Sequence, residues 1–232
     1  MAPRVGKGAF ALNDVKEFKT VRITFRKVGR ARYISHLDLN RTMTRAVRRA
    51  ALPIWYTEGF NRHPYITFAS PLSLGYEGER ELMDVRLQEN MDLIELVERL
   101  NAVMPEGLQV IDAAWAVKKA GEIDRAVYRL TLPCPSQTVR SLFEAPSILV
   151  QKRTKKKELK TVDIKAAIEA SNATVIDTEE GCAVELTLPC NSTDTVNPSL
   201  VVSALKTAAG GEELSCRVKR LAILDSNGEY FA

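Results

Sequence analysis

The segment VRITFR at residues 21–26, followed by SHLDLNRTMTRAVRRA at 35–50, carries the clearest strand and helix patterns of this chain. In the first segment apolar and polar residues alternate, which is typical of a half-exposed strand. In the second, apolar residues recur at helical spacing behind Ser35, a residue that caps helices well. We predict a helix over residues 36 to about 51, because Pro53 stops it.

In the region after this helix, up to residue 117, the sequence predicts further strands and a second helix. A second helix is predicted from Leu93, Val97 and Leu100, which recur at helical spacing. With the strand candidates, the order becomes β-α-β-β-α-β, the pattern of a ferredoxin-like domain. The further strand candidates are PIWYT (53–57), YITFAS (65–70), ELMDVRLQ (81–88) and LQVIDAAWAV (108–117).

The second half repeats a similar order, with strand candidates YRLTLP (128–133), SILVQKR (147–153), CAVELTLP (182–189) and CRVKRLAIL (216–224), and with helices that start at Ser136 and at Asn197. A short helix after Asp163 is an insertion relative to the first half. The predicted class is α+β, with two tandem ferredoxin-like (βαββαβ) domains, the second with a short helical insertion. The predicted boundaries are a loose N-terminal extension at 1–18, a basic first domain at 19–118 and a second domain at 125–232.

Composition is that of a globular protein, with 45% apolar and 27% charged residues among 232. No apolar run approaches the roughly 20 residues that span a bilayer, and the N-terminus lacks a signal-peptide core. We therefore expect a cytoplasmic protein with no membrane partner. Four widely spaced cysteines contain no C-x-x-C pair, so we expect reduced thiols and no metal bound by this chain.

Positive charge is concentrated between Arg22 and His63, a window with ten Lys and Arg against two acids. The predicted helix carries arginines at spacings of three and four, on the side opposite its apolar stripe. Guanidinium groups in a row suit the phosphates of a nucleic-acid backbone. The arginines are Arg41, Arg45, Arg48 and Arg49. A second basic cluster lies at 151–160, where a solvated turn is an equal alternative.

Residues around the helix start and the loop 59–64 complete the predicted anion-binding set, since a helix N-terminus receives anions. These residues are Arg30, Arg32, Ser35, Asn61 and Arg62. The chain has two histidines, His36 and His63, and both fall in the basic window. Each imidazole either bonds turn carbonyls or acts as a general acid or base, so both are candidate catalytic residues.

The exposed face of the first strands is expected to be cationic and free of aromatic residues. Alternation places Arg22, Thr24, Arg26 and Arg86 there. An RNA-recognition-motif domain carries stacking aromatics on that surface, so we disfavour that class of domain.

Three sequence blocks, KVGRARYISHLD (27–38), GFNRHP (59–64) and PLSLG (71–75), resemble the radical SAM-linked protein family, a bacterial domain of unknown function. The resemblance is strong over 21–117 and looser toward the C-terminus. Arg62 departs from it, because the family commonly has proline there.

The resemblance implies an accessory protein encoded beside, or fused to, a radical SAM enzyme, near genes for ribosome and RNA-processing functions. The iron–sulfur cluster and S-adenosylmethionine are then expected on that partner, with no cofactor bound by this chain. The leading hypothesis is an RNA-binding adaptor in RNA or ribosome maturation, without catalysis of its own. The alternatives are a metal-independent endoribonuclease using His36 and His63, or a pure protein-interaction subunit of the radical SAM partner.

Overall fold

The computed structural model describes residues 18–153, 158–190, 197–211 and 213–231. Within them the chain forms helices and a mostly antiparallel sheet, so the predicted α+β class is confirmed. Of the predicted N-terminal extension, all but Phe18 lies outside the described residues.

The first half follows the predicted order of strands and helices. Helix α1 begins where expected, because Ser35 Oγ accepts a hydrogen bond from the backbone N–H of Asp38. Its apolar stripe, which includes Met43 and Val47, is buried against the sheet. The elements are β1 (Lys19–Lys27), a 3-10 helix (Gly29–Tyr33), α1 (His36–Arg49), β2 (Ile66–Phe68), β3 (Glu77–Leu87), α2 (Leu93–Asn101) and β4 (Leu108–Trp115).

The second half contains more strands than the sequence predicts. The short helix after Asp163 is present, but a hairpin precedes it and a further strand follows it. Asp163 Oδ1 accepts the backbone N–H groups of Ile148 and Lys165, which ties the hairpin to that helix. The elements are a 3-10 helix (Ala120–Glu122), β5 (Ile123–Leu132), α3 (Ser136–Glu144), β6 (Leu149–Arg153), β7 (Leu159–Asp163), α4 (Lys165–Glu169), β8 (Thr174–Thr178), β9 (Gly181–Pro189), α5 (Pro198–Ala209) and β10 (Arg217–Asp225).

Eight strands form one sheet in the order β4-β1-β3-β10-β5-β9-β8, with β2 paired to β3 beside this path. Each half thus contributes four strands, in the orders β4-β1-β3-β2 and β10-β5-β9-β8. Among the described strands of this sheet, neighbours are antiparallel except β3 and β10, which are parallel over two residue pairs. The tandem ferredoxin-like arrangement stays a prediction.

A buried ion pair reinforces the contact between β3 and β10. Arg220 Nε donates to Glu81 Oε1 at 2.9 Å, and its Nη2 donates to the Ser70 carbonyl at 2.7 Å. Burial by itself lowers the pKa of Arg220, but attraction to Glu81 outweighs it and the pKa is raised. Lys27, 1% exposed, lies in the same region, and desolvation lowers its pKa despite the opposing attraction of Glu81. Polar groups therefore fill the space between the two main cores.

The C-terminal segment covers part of the opposite face of the sheet, so the predicted exposed cationic face is wrong for Arg22 and Thr24, whereas Arg26 is exposed as predicted and Arg86 is half-buried. Arg22 is 1% exposed, donates twice to Asp84 and stacks 4.4 Å from the Phe231 ring. Thr24 is buried as well. A period-two pattern places residues on one face of a sheet, but it does not say whether another segment covers that face.

The predicted strand PIWYT is also wrong. Ile54 and Tyr56 form isolated bridges, to Leu87 and Pro64, and the second strand of the half is β2. These bridges instead set the position of the loop that follows, which carries His63.

Candidate functional site

A groove of about 580 Å³ runs along the C-terminal half of α1. Three of the four predicted α1 arginines line it, and its remaining walls are a hydroxyl and two apolar residues. The lining residues are Arg45, Arg48, Arg49, Thr42, Ile34 and Pro105. We call this surface the arginine groove.

Two arginines of this groove contact neutral groups. Arg49 Nη2 donates to the Val103 carbonyl at 2.6 Å, and the Arg48 guanidinium lies 5.7 Å from the centre of the Tyr56 ring. Within the part of the chain that the structure describes, neither these two nor Arg45 has a carboxylate within 4.0 Å. Their positive charge is therefore directed at solvent in the groove.

The helix start does not offer the anion site that the sequence predicts. Ser35 Oγ donates to Asp38 Oδ2 at 2.7 Å, and Arg41 Nη1 lies 3.2 Å from Asp38 Oδ1. The bond from Ser35, then that from Arg41, lowers the pKa of Asp38, so its carboxylate is ionised at neutral pH. An anion approaching this terminus meets a negative charge, and Arg41 does not line the arginine groove.

Arg30 and Arg32 lie in the 3-10 helix before α1, outside the arginine groove. Arg30 is exposed, whereas Arg32 lies over the Tyr33 ring and lines a separate cleft of about 240 Å³. The cations of that cleft face carboxylates: Arg32 and Lys219 with Glu77, Arg129 with Glu185, and Arg217 with Glu180.

The loop with His63, Asn61 and Arg62 is the tip of a hairpin. Thr57 donates its backbone N–H to the His63 carbonyl at 2.9 Å, and His63 Nδ1 lies 3.1 Å from the Thr57 hydroxyl and from the Asn61 carbonyl. A carbonyl oxygen only accepts, so Nδ1 donates to it and, in the neutral imidazole, Nε2 carries the lone pair. All three candidate side chains are exposed.

The two histidines are associated with opposite ends of α1. His36, in the first turn, packs edge-on against Phe68 with ring centres 5.1 Å apart. The hairpin of His63 contacts the last turn through Arg48 and Tyr56. His36 and Arg48 are separated by about 18 Å along the helix axis, given 1.5 Å per residue. No hydrogen bond joins the two imidazoles among the described residues.

An aromatic cluster that the sequence analysis missed surrounds Arg86. Its guanidinium lies 4.0 Å from the centre of the Tyr65 ring and 5.5 Å from that of Trp55, and Phe18 packs on Trp55. Trp55 and Tyr65 meet because Tyr65 donates its N–H to the Trp55 carbonyl. Two aromatic residues that flank the turn-forming Gly59 in the sequence were the available signal.

The cysteines are free thiols, as predicted. Cys134 and Cys182 lie with sulfur atoms 3.7 Å apart, while Cys190 is at the other end of the antiparallel β5–β9 pair. Burial raises the pKa of Cys182 to about 12 and that of Cys216 to about 11. Neither is a thiolate at neutral pH. Within the described ranges no cluster of His, Cys, Asp and Glu has the grouping of a metal site.

None of the described helices is both long and apolar enough to cross a bilayer. A search of curated proteins finds no match to the chain. A family model, described as an uncharacterized protein conserved in bacteria (DUF2344), matches residues 20–198, more than three quarters of the sequence. The matched segment includes the arginine groove and the hairpin. The chain belongs to this bacterial family.

Proposed function

We propose that this protein binds RNA and that the arginine groove holds its phosphates. The observation that carries the proposal is the convergence of Arg45, Arg48 and Arg49 on one groove, where none of them forms an ion pair within 4.0 Å in the described residues. Guanidinium groups donate paired hydrogen bonds to phosphate oxygens, so three of them along one helix suit successive phosphates of a backbone.

The anchoring of these arginines supports the same proposal. Arg49 is fixed by the Val103 carbonyl and Arg48 by the Tyr56 ring, so less side-chain entropy is lost when a phosphate binds. Ile34 and Pro105 give the groove an apolar wall, against which a ribose or a base packs. A cleft whose cations already face carboxylates, such as that of Arg32, gains less from an anion.

We further propose that the protein acts as an accessory adaptor for a radical SAM enzyme in RNA or ribosome maturation. Support for this partner comes from the family resemblance, which also puts the iron–sulfur cluster and S-adenosylmethionine on the partner. The matching strand order of the two halves supports a tandem ferredoxin-like arrangement. We do not propose the endoribonuclease, because the two imidazoles associate with opposite ends of α1.

RNA affinity measured against salt concentration tests the binding proposal. The variant R45A/R48A is expected to lose about tenfold in affinity and to show a shallower salt dependence, because two phosphate contacts are gone. The matched control is R41A/R140A, which removes the same charge from α1 and α3 outside the groove.

Two results overturn the proposal. One is absent or salt-independent RNA binding by the purified chain, and the other is an equal loss in the control variant. Recovery of a protein partner that survives nuclease treatment, with no RNA retained, favours the protein-interaction subunit instead.

A further inference from the structure

A second feature lies next to the arginine groove: the segment 55–65, WYTEGFNRHPY, which we call the aromatic hairpin. It is closed at its base by the Tyr56–Pro64 bridge and by the hydrogen bond from Tyr65 N–H to the Trp55 carbonyl. Further toward the tip, Thr57 and His63 bond each other through backbone and side chain. The hairpin is therefore a defined structure rather than a loose loop.

At the tip of this hairpin, Phe60 is 103% exposed, as open to solvent as in an extended chain. It follows Gly59, whose φ of 122° is a conformation that side-chain-bearing residues rarely adopt. The chain thus turns at a glycine and projects an aromatic ring into water. A phenylalanine gains free energy when buried, so a fully exposed ring on an ordered tip is suited to contact with another molecule.

The surroundings of the hairpin are cationic. Arg48 lies over Tyr56 on the side of the arginine groove, and Arg86 lies over Trp55 and Tyr65. Arg62 is exposed beside the tip, and Glu58 is the one carboxylate in the hairpin sequence. Aromatic rings interleaved with cations match a ligand that has flat bases and negative phosphates.

We propose that the aromatic hairpin binds an unpaired nucleobase, which stacks on Phe60 while neighbouring phosphates lie in the arginine groove. This inference rests on the proposed function and narrows its ligand to RNA with an unpaired loop, bulge or end. In a continuous A-form duplex the bases are stacked on each other, and no face is open to Phe60. Arg48 lines the arginine groove and lies over Tyr56, so the base of the aromatic hairpin borders the groove.

Fluorescence anisotropy tests the inference with three labelled RNAs: a stem–loop, the same stem–loop with abasic loop positions, and a blunt duplex. The variants are Phe60→Ala, Phe60→Trp and, as a control that removes another exposed apolar side chain, Leu74→Ala. We expect the wild type to prefer the intact stem–loop. Phe60→Ala should weaken that complex about tenfold, the scale of one base–aromatic stack. Phe60→Trp and Leu74→Ala should leave it within about twofold of the wild type.

The two proposals fail differently in this experiment. If the wild type binds none of the RNAs, or R45A/R48A leaves every affinity unchanged, the proposed function fails. If R45A/R48A weakens binding but Phe60→Ala does not, the inference about the hairpin alone is overturned. Equal losses by Phe60→Ala on the intact stem–loop, the abasic stem–loop and the duplex also overturn it. Loss of a co-purifying protein with unchanged RNA affinity assigns the tip to a protein contact.

Discussion

Two sets of arginines in this protein meet opposite surroundings. At the junction of the two halves, Arg220 is 2% exposed and bonded to Glu81, and Arg22 is equally buried against Asp84. On α1, Arg45 and Arg48 line an open groove and form no ion pair within 4.0 Å among the described residues. An arginine has a structural role where it is paired with a buried carboxylate. It is accessible to a ligand where it has no such partner.

The density of positive charge along the sequence is a poor guide to how many of those charges remain accessible to a ligand. Arg22 and Lys27 belong to the basic window that first suggests an anion-binding surface, yet both are 1% exposed. What remains for a ligand is decided by the acids that other parts of the chain supply, such as Asp84 on β3.

The largest expected effect comes from removing a carboxylate at the junction. Glu81→Gln leaves Arg220 buried without its counter-charge, which should lower the free energy of unfolding by about 3 kcal/mol. Glu79→Gln is the matched control, because Glu79 pairs with Arg26 and Lys219 nearer the surface, and should cost less than about 1 kcal/mol. Chemical denaturation measures both. If both variants lost a similarly small amount of unfolding free energy, the buried Glu81–Arg220 pair would be no more important to stability than the surface pairs of Glu79.

An intermediate effect is expected on acidification. The hydrogen bond from Lys118, followed by the backbone N–H of Glu229, lowers the pKa of Asp225 from its ordinary 3.8. A carboxyl with a depressed folded-state pKa stabilises the fold above 3.8, and that contribution is lost as pH falls through the folded value. Unfolding free energy should therefore drop below about pH 4, and more gradually in Asp225→Asn. Superimposable acid profiles for the variant and the wild type would contradict this.

The smallest expected effect is on α1. Arg45→Ala should change the free energy of unfolding by less than about 0.5 kcal/mol, because the side chain is exposed and has no carboxylate partner in the described residues. The thermal unfolding of Arg45→Ala is measured together with that of Arg22→Ala. The second variant removes the arginine partner of the Asp84 carboxylate, so its loss of stability should be the larger of the two. A loss for Arg45→Ala as large as that for Arg22→Ala would show that the groove arginine is structural.

Much of the fold was predictable because it depends on local patterns. The alternation in VRITFR and the apolar stripe behind Ser35 gave β1 and α1 with nearly correct limits. Strand β6 falls within the predicted extended segment SILVQKR, but its partner β7 and strand β8 are not predicted, since most of their residues are exposed and show no clear period. The segment PIWYT is rich in β-forming residues, and this is why the sequence predicts a strand there. In the structure, Ile54 and Tyr56 each form only an isolated bridge, to Leu87 and Pro64.

The candidate site was predictable in part. Helical spacing correctly placed Arg45, Arg48 and Arg49 on one side of α1, and the structure brings these three into one groove. Arg41 follows the same spacing, but its proximity to Asp38 ties it to the helix start. The sequence does not identify Phe60 as a site residue, because a single phenylalanine in a polar loop can be either buried or exposed; the structure shows that its ring is exposed.

The α+β class, the arginine-bearing helix and the widely spaced cysteines follow from local spacing and composition, so they can be read from the amino-acid sequence. Which arginines remain accessible to a ligand depends on tertiary contacts. The β3–β10 contact brings Glu81 to Arg220, and the C-terminal segment covers Arg22 with Phe231. These contacts join residues far apart in the chain, and burial with a counter-charge depends on such long-range neighbours rather than on local pattern.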